Sequence, residues 1–190
     1  MRTVMAKSSA NERGLGVRHE PSRDASAASQ SVLDATRSAA HSHCLLCGAE
    51  NVQGLGLDFQ ALPDGSVRAV FAGSGRHAGY PGTLHGGLIA ALLDSAMTNC
   101  LFARGIVAVT ARLNVRYLQP GQLGTPLDVV ATLLRSSRSL HYLCGELQQN
   151  GSVVAAATAT FKDRTRRPLL AAGVAATAWA SEARGPERAD

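Results

Sequence analysis

The chain has 190 residues, is 45% hydrophobic and 17% charged, and carries a net charge of +5. This is room for one ordinary domain with tails. No apolar run reaches the length of a membrane span, and the N-terminus lacks the apolar core of a signal peptide. The positive excess is spread, +2 over residues 1–42, +2 over 43–162 and +1 over 163–190. No basic face therefore marks a nucleic-acid binder, and a mild basic bias fits an anionic small ligand equally well. The expected compartment is the cytoplasm, with neither nucleic acid nor membrane as partner.

Residues 1–42 are polar and rich in Ser, Ala and Arg. Beyond a short turn at Val32–Arg37 they lack sustained periodicity, and they read as a disordered extension. From Cys44 the texture changes. Cys44-Leu-Leu-Cys47, with His41 and His43 just before it, has the spacing of half a metal site. No second such pair follows, so the expectation is that these cysteines pack the start of the domain. Leu55–Ala61 and Ser66–Phe71 read as two strands joined at Pro63-Asp64-Gly65, a turn with Gly where positive φ is wanted. A glycine-rich loop, Ala72 to Thr83, follows.

The next stretch predicts a helix from about Gly87 to Ala103, with Arg104 in its last turn and Gly105 as its stop. Leu88, Ile89, Leu92, Leu93, Met97, Cys100, Leu101 and Phe102 point in nearly every direction, as in a buried helix. Asp94 stands in its middle with no Lys or Arg three or four residues away. An unpaired carboxylate there requires a raised pKa, a partner from elsewhere or a catalytic role. His85-Gly86-Gly87 opens the helix with backbone that a ligand can approach, and its free N–H groups suit an oxyanion or a polarised carbonyl. Asp94 lies eight residues after Gly86, roughly 12 Å along a helix. The two cannot reach one carbonyl within a single chain. Two antiparallel helices would bring the Asp94 of one subunit to the Gly86 amide of the other, which predicts a dimer with shared sites.

After the helix, Val107–Tyr117 alternates. Val109, Ala111, Leu113, Val115 and Tyr117 fall on one face, and Thr110, Arg112, Asn114 and Arg116 on the other. Leu127–Arg135, Leu140–Gln148 and Val153–Lys162 follow as strands, the last two joined by Gln149-Asn150-Gly151, a hairpin signal. Two strands, one long helix and four strands predict an α+β domain, an antiparallel sheet wrapped around one apolar helix. The other face of that sheet needs cover, again pointing to a homodimer or a dimer of dimers. The domain is expected over 43–163, with residues 164–190 as a loose tail.

The element order, with His85-Gly86-Gly87, Asp94 and Val109-Thr-Ala-Arg-Leu-Asn-Val-Arg-Tyr117, resembles the hotdog-fold acyl-CoA thioesterases, most closely the PaaI-like branch of the thioesterase superfamily. The resemblance covers about Cys44 to Lys162. It implies hydrolysis of an acyl-CoA thioester to free acid and CoA. The Gly86 amide would polarise the carbonyl, Asp94 from the neighbouring subunit would act as nucleophile or general base, and Thr110 would place the attacking water. No cofactor or metal is implied, because a thioester is already an activated acyl group.

His85 either fixes the loop through its backbone or joins the chemistry. Several members carry Asn or Gln shortly before the HGG. Here that stretch reads His77-Ala-Gly-Tyr-Pro-Gly-Thr-Leu, which leaves His77 and Tyr80 as candidates for substrate contacts, with Gly87 and Asn114. Arg135 and Arg138, at a strand turn, are candidates to clasp the phosphates of coenzyme A. Two other readings use the same scaffold. A non-catalytic acyl-CoA binder or sensor would dispense with the acid, and a hydratase or dehydratase would want an Asp and His in another spacing.

Overall fold

The structure is a computed structural model, and it describes residues 29–164. Helix α1 (Gln30–His41) comes first, followed by strands β1 (Gln60–Ala61) and β2 (Val67–Ala72). A short hairpin of β3 (Ala78–Tyr80) and β4 (Thr83–Leu84) leads into helix α2 (Gly86–Phe102). Strands β5 (Ala108–Tyr117), β6 (Pro126–Ser137), β7 (Leu140–Gln149) and β8 (Ser152–Asp163) follow among the described residues. Six strands form one antiparallel sheet in the order β1-β2-β6-β7-β8-β5, and α2 packs on one face of it. This is the expected α+β layout.

The inward positions explain how closely the helix can sit. β8 offers Ala155, Ala157 and Ala159, each at least 95% buried, and β6 offers Leu127, Val129, Ala131 and Leu133. On β7, a Cβ at Gly145 would meet Leu93 and Met97 of α2 and lie 3.2 Å from the Val130 carbonyl, so the glycine there admits the helix. The Asn150-Gly151 turn has φ of 50° and 76°, the left-handed pair that a two-residue hairpin requires.

Three sequence expectations need correction. The extension read as disordered over 1–42 divides: residues 1–28 lie outside the described residues, whereas Gln30–His41 is helix. Its anchor is one fully buried residue, Leu33, too little to give a periodic signal. Ser29 N–H donates to the Ala103 carbonyl at 2.9 Å, and the Gln30 side chain accepts from Ala61 N–H at 2.8 Å, so α1 is tied to the rest of the domain. The tail read over 164–190 lies outside the described residues from 165 on.

The strand expected at Leu55–Ala61 is reduced to Gln60–Ala61. Leu55 and Leu57 instead donate their amides to Leu45 and Leu46 of the cysteine loop, at 2.8 Å each. The faces of β5 also differ. The register against β8 slips at Ala111, so Thr110 pairs with the inward Phe161 while Leu113 pairs with the inward Ala159. Thr110 therefore shares the helix-facing side with Leu113, Val115 and Tyr117, and Val109 turns outward. A bulge re-aims a side chain in this way, and strict alternation does not reveal it.

Candidate active site

Helix α2 is buried as its composition requires, with one window. From Ile89 to its end, Ala90, Ala91 and Asp94 are the positions that are not fully buried. Asp94 accepts a 2.7 Å hydrogen bond from Thr110 Oγ1, delivered by the β5 bulge. Burial pushes the Asp94 carboxyl above the usual Asp range. The Thr110 bond and the charge of His41 pull it back, and the charge of Cys44 adds to the rise.

The front of α2 is organised by His85, its N-cap. His85 Nδ1 accepts from Gly87 N–H at 2.9 Å, and the His85 carbonyl accepts from Leu88 and Ile89. His85 N–H donates to the His77 carbonyl at 2.9 Å. Of the two readings kept for His85, the structure supplies the loop-fixing contacts. Three of the first four amides of the helix are thereby committed. The Gly86 N–H has no hydrogen-bond partner among the described residues. It stands at the positive end of a 17-residue helix, a donor available to an oxyanion. From the strand side, Tyr117 Oη donates to the Gly86 carbonyl at 2.9 Å, fixing the peptide that follows. The sequence reading placed Tyr117 on a packing face and missed this contact. A tyrosine ending an apolar alternation, whose hydroxyl needs a partner, was the available signal.

The other candidates fall elsewhere. His77 Nδ1 accepts from Ser74 N–H at 2.9 Å and its ring packs on Phe71, so it holds a turn. Tyr80 is 79% exposed in the hairpin before the helix. Asn114 and Arg135 lie on the outer face of the sheet, separated by it from Asp94. There they line a cavity of about 310 Å³ with Arg112 and Tyr142, and the Arg135 guanidinium stacks 3.5 Å over the Tyr142 ring. Arg138 occupies the tip of the β6–β7 turn with φ of 53°. The structure thus brings Asp94 to Thr110 and Gly86 to His85 and Tyr117, and leaves Asn114, Arg135 and Arg138 apart from both groups.

One cluster of metal-ligand type lies near Asp94. The donor atoms of His41, Cys44 and Cys47 all fall within 4.8 Å of one another. Hydrogen bonds from the Cys47 side chain and His41 hold the Cys44 thiol well below its usual range, and the same pairing together with burial pushes Cys47 up.

Residues 76–162 match the family described as the acyl-CoA thioesterase N-terminal domain. The chain is 34% identical over 74 residues to acyl-coenzyme A thioesterase 13 of Mus musculus, a match covering 38% of this chain and 53% of that one. The chain thus spans about half the length of that relative. Among solved structures, a variant of the phenylacetic acid degradation protein PaaI from Thermus thermophilus is similar at 30% identity, with a TM-score of 0.53. That match covers 57% of this chain and 93% of that chain. A Streptococcus mutans protein crystallised with acetyl CoA is similar at 25% identity, with a TM-score of 0.53, 56% of this chain and 87% of that one being covered.

Proposed function

The chain belongs to the PaaI-like thioesterases of the hotdog fold, and on that premise we propose that it hydrolyses acyl-CoA thioesters to the free acid and CoA. The observation that carries the reading is Asp94, a carboxylate in the one solvent window of an apolar helix with Thr110 bonded to it. A binder or sensor has no use for an acid held there at the expense of solvation.

The catalytic unit is a dimer. Among the described residues β5 is a ten-residue edge strand with one side unpaired, and Val109 and Tyr117 on it are 42% and 52% exposed. Such an edge invites a second copy. Asp94 and the free Gly86 amide sit roughly 12 Å apart on one helix, so a two-fold pair of α2 helices, meeting at Ala90 and Ala91, completes each site. Asp94 of one subunit then faces Gly86 of the other.

The chemistry follows from that pairing. Thr110 occupies Oδ1 of Asp94, which leaves Oδ2 to take a proton from water. The water oxygen attacks the thioester carbonyl carbon, and the resulting oxyanion is held by the opposing Gly86 N–H. Collapse breaks the C–S bond. The proton on Asp94 goes to the departing thiolate, so acid and CoA leave and the carboxylate is restored.

A panel of aryl and fatty acyl-CoA substrates, read by a thiol reagent, tests the activity. Turnover of none of them at micromolar enzyme would reject it. A single turnover in 18O-labelled water tests the nucleophilic alternative, since label in the Asp94 carboxylate requires water to attack the aspartyl carbon of an acyl-aspartyl anhydride and a general base never acquires it.

A further inference from the structure

We propose that His41, Cys44 and Cys47 form a binding site for one divalent zinc-class ion, which ties the end of α1 to the cysteine loop that packs against helix α2. The proposal goes beyond thioester hydrolysis and does not depend on it. Three donors of borderline-soft type converge, one nitrogen and two sulfurs, with all ligand atoms within 4.8 Å of one another. A tetrahedral zinc with Zn–S of about 2.3 Å and Zn–N of about 2.0 Å wants its ligand atoms roughly 3.5–3.8 Å apart, so the side chains need only a small closure around an ion.

The backbone is wound to hold them. His41 ends α1, and its carbonyl accepts from Cys44 N–H at 3.0 Å. Gly48 N–H donates to the Cys44 carbonyl at 3.0 Å, and Leu46 N–H donates to Cys44 Sγ at 3.3 Å. An amide aimed at a sulfur stabilises it as thiolate, the form that binds metal. Gly48 is obligatory in this knuckle: a Cβ there would lie 2.3 Å from Cys44 N and 2.5 Å from the Ser42 carbonyl oxygen. The wall behind the cluster belongs to α2, where Asn99 Nδ2 lies 3.5 Å from Cys47 Sγ.

Polar atoms left over at this seam point the same way. His41 Nδ1, Ser95 Oγ and Asn99 Oδ1 are buried without a hydrogen-bond partner among the described residues. A disulfide between Cys44 and Cys47 would leave the His41 nitrogen unanswered, whereas an ion takes the imidazole as a ligand. His43, the other histidine beside the motif, pairs with Glu50 at 3.2 Å and lies outside the cluster. Two thiolates balance the charge of a divalent ion, and water takes the fourth position. Binding releases the proton of each ligand that was protonated.

The test uses the full chain, reduced and stripped with a chelator, then titrated with Zn2+ against a chromophoric competitor and separately with Co2+. The expected result is one ion per chain. Co2+ should give thiolate-to-metal charge transfer in the near ultraviolet and the intense visible bands of a tetrahedral site. Cys44→Ser and His41→Ala should weaken Zn2+ binding by about a hundredfold or more, beyond the ~10–100-fold typical of losing an outer hydrogen-bond partner. Far-UV circular dichroism confirms that the variants fold; should His41→Ala fail, the wild-type stoichiometry and spectrum with Cys44→Ser decide. Absence of stoichiometric uptake, Co2+ bound without a thiolate band, or affinity unchanged in Cys44→Ser would each overturn the site. None of these readouts involves hydrolysis.

Discussion

Thr110 Oγ1 reaches Asp94 Oδ1 at 2.7 Å because β5 slips one residue against β8 at Ala111. Without that bulge the threonine would face away from the helix. One irregularity in an edge strand thus gives the half-buried carboxylate its hydrogen-bond donor.

Asp94→Asn should fold, keep Thr110 as a neighbour and lose thioesterase turnover by about two orders of magnitude or more. Its stability carries a sign. The folded-state pKa of Asp94 is raised by burial, so the folded chain holds that proton more tightly than the unfolded one. Wild-type stability should therefore fall as pH rises from below the ordinary Asp range through the folded pKa. Asn has no such titration. Chemical denaturation should find the variant gaining on wild type as pH rises, and a variant that lost ground to wild type with rising pH would contradict the burial argument.

Thr110→Val removes the contact that pulls the Asp94 pKa back down. A hydrogen bond to a charged group is worth about 1.5–3 kcal/mol, so kcat/KM should drop about tenfold or more. The acid limb of the pH–rate profile should move to higher pH than in wild type. Thr110→Ser should restore both. An unmoved limb in Thr110→Val would show that the hydroxyl does not govern the acid.

Tyr117→Phe deletes the donor to the Gly86 carbonyl. The side chain is 52% exposed, so the melting temperature should change little while kcat falls by about threefold to tenfold, the equivalent of one ordinary hydrogen bond of ~0.5–1.5 kcal/mol. Wild-type kcat in this variant would mean that the Gly86 peptide needs no tether.

What the sequence revealed tracks how much apolar burial each element carries. Helix α2 and its misfit Asp94 were legible because a long apolar run with a single acid has few physical solutions. The hairpin at Asn150-Gly151 was legible from turn chemistry alone. The helix at Gln30–His41 was not, since Leu33 is its one fully buried side chain and the rest is polar. The faces of β5 were misread because a bulge changes the period without changing composition. Asn114 sits on the outer face, away from Asp94, and no local pattern in the sequence says which side of a sheet a site will occupy.

The helix that sequence reading missed sets the working boundary of the domain. A chain of residues 29–164 should unfold cooperatively like the full chain, whereas one beginning at His43 loses Leu33 and the Gln30 bonds to Phe59 and Ala61. Leu33→Ala alone should cost about 2–5 kcal/mol in urea denaturation. Equal stability of the chains starting at 29 and at 43 would show that α1 is an ornament.

The last prediction concerns the sharing of the site. Asp94→Asn removes the acid. Gly86→Val targets the other half: a Cβ there already touches the Tyr117 ring at 3.7 Å, so branched methyls must displace the tyrosine or fill the space before the amide. Each homodimer should be nearly inactive. In a mixed dimer one site carries both lesions and the other carries neither. With equal amounts and random pairing, half of the dimers are mixed and each has one intact site, so re-equilibration should restore about a quarter of the wild-type rate. Subunit exchange can be followed independently by native mass spectrometry of the two variants. Confirmed exchange with no return of activity would mean that Gly86 and Asp94 of one chain serve the same site, and the two-fold site would have to be abandoned.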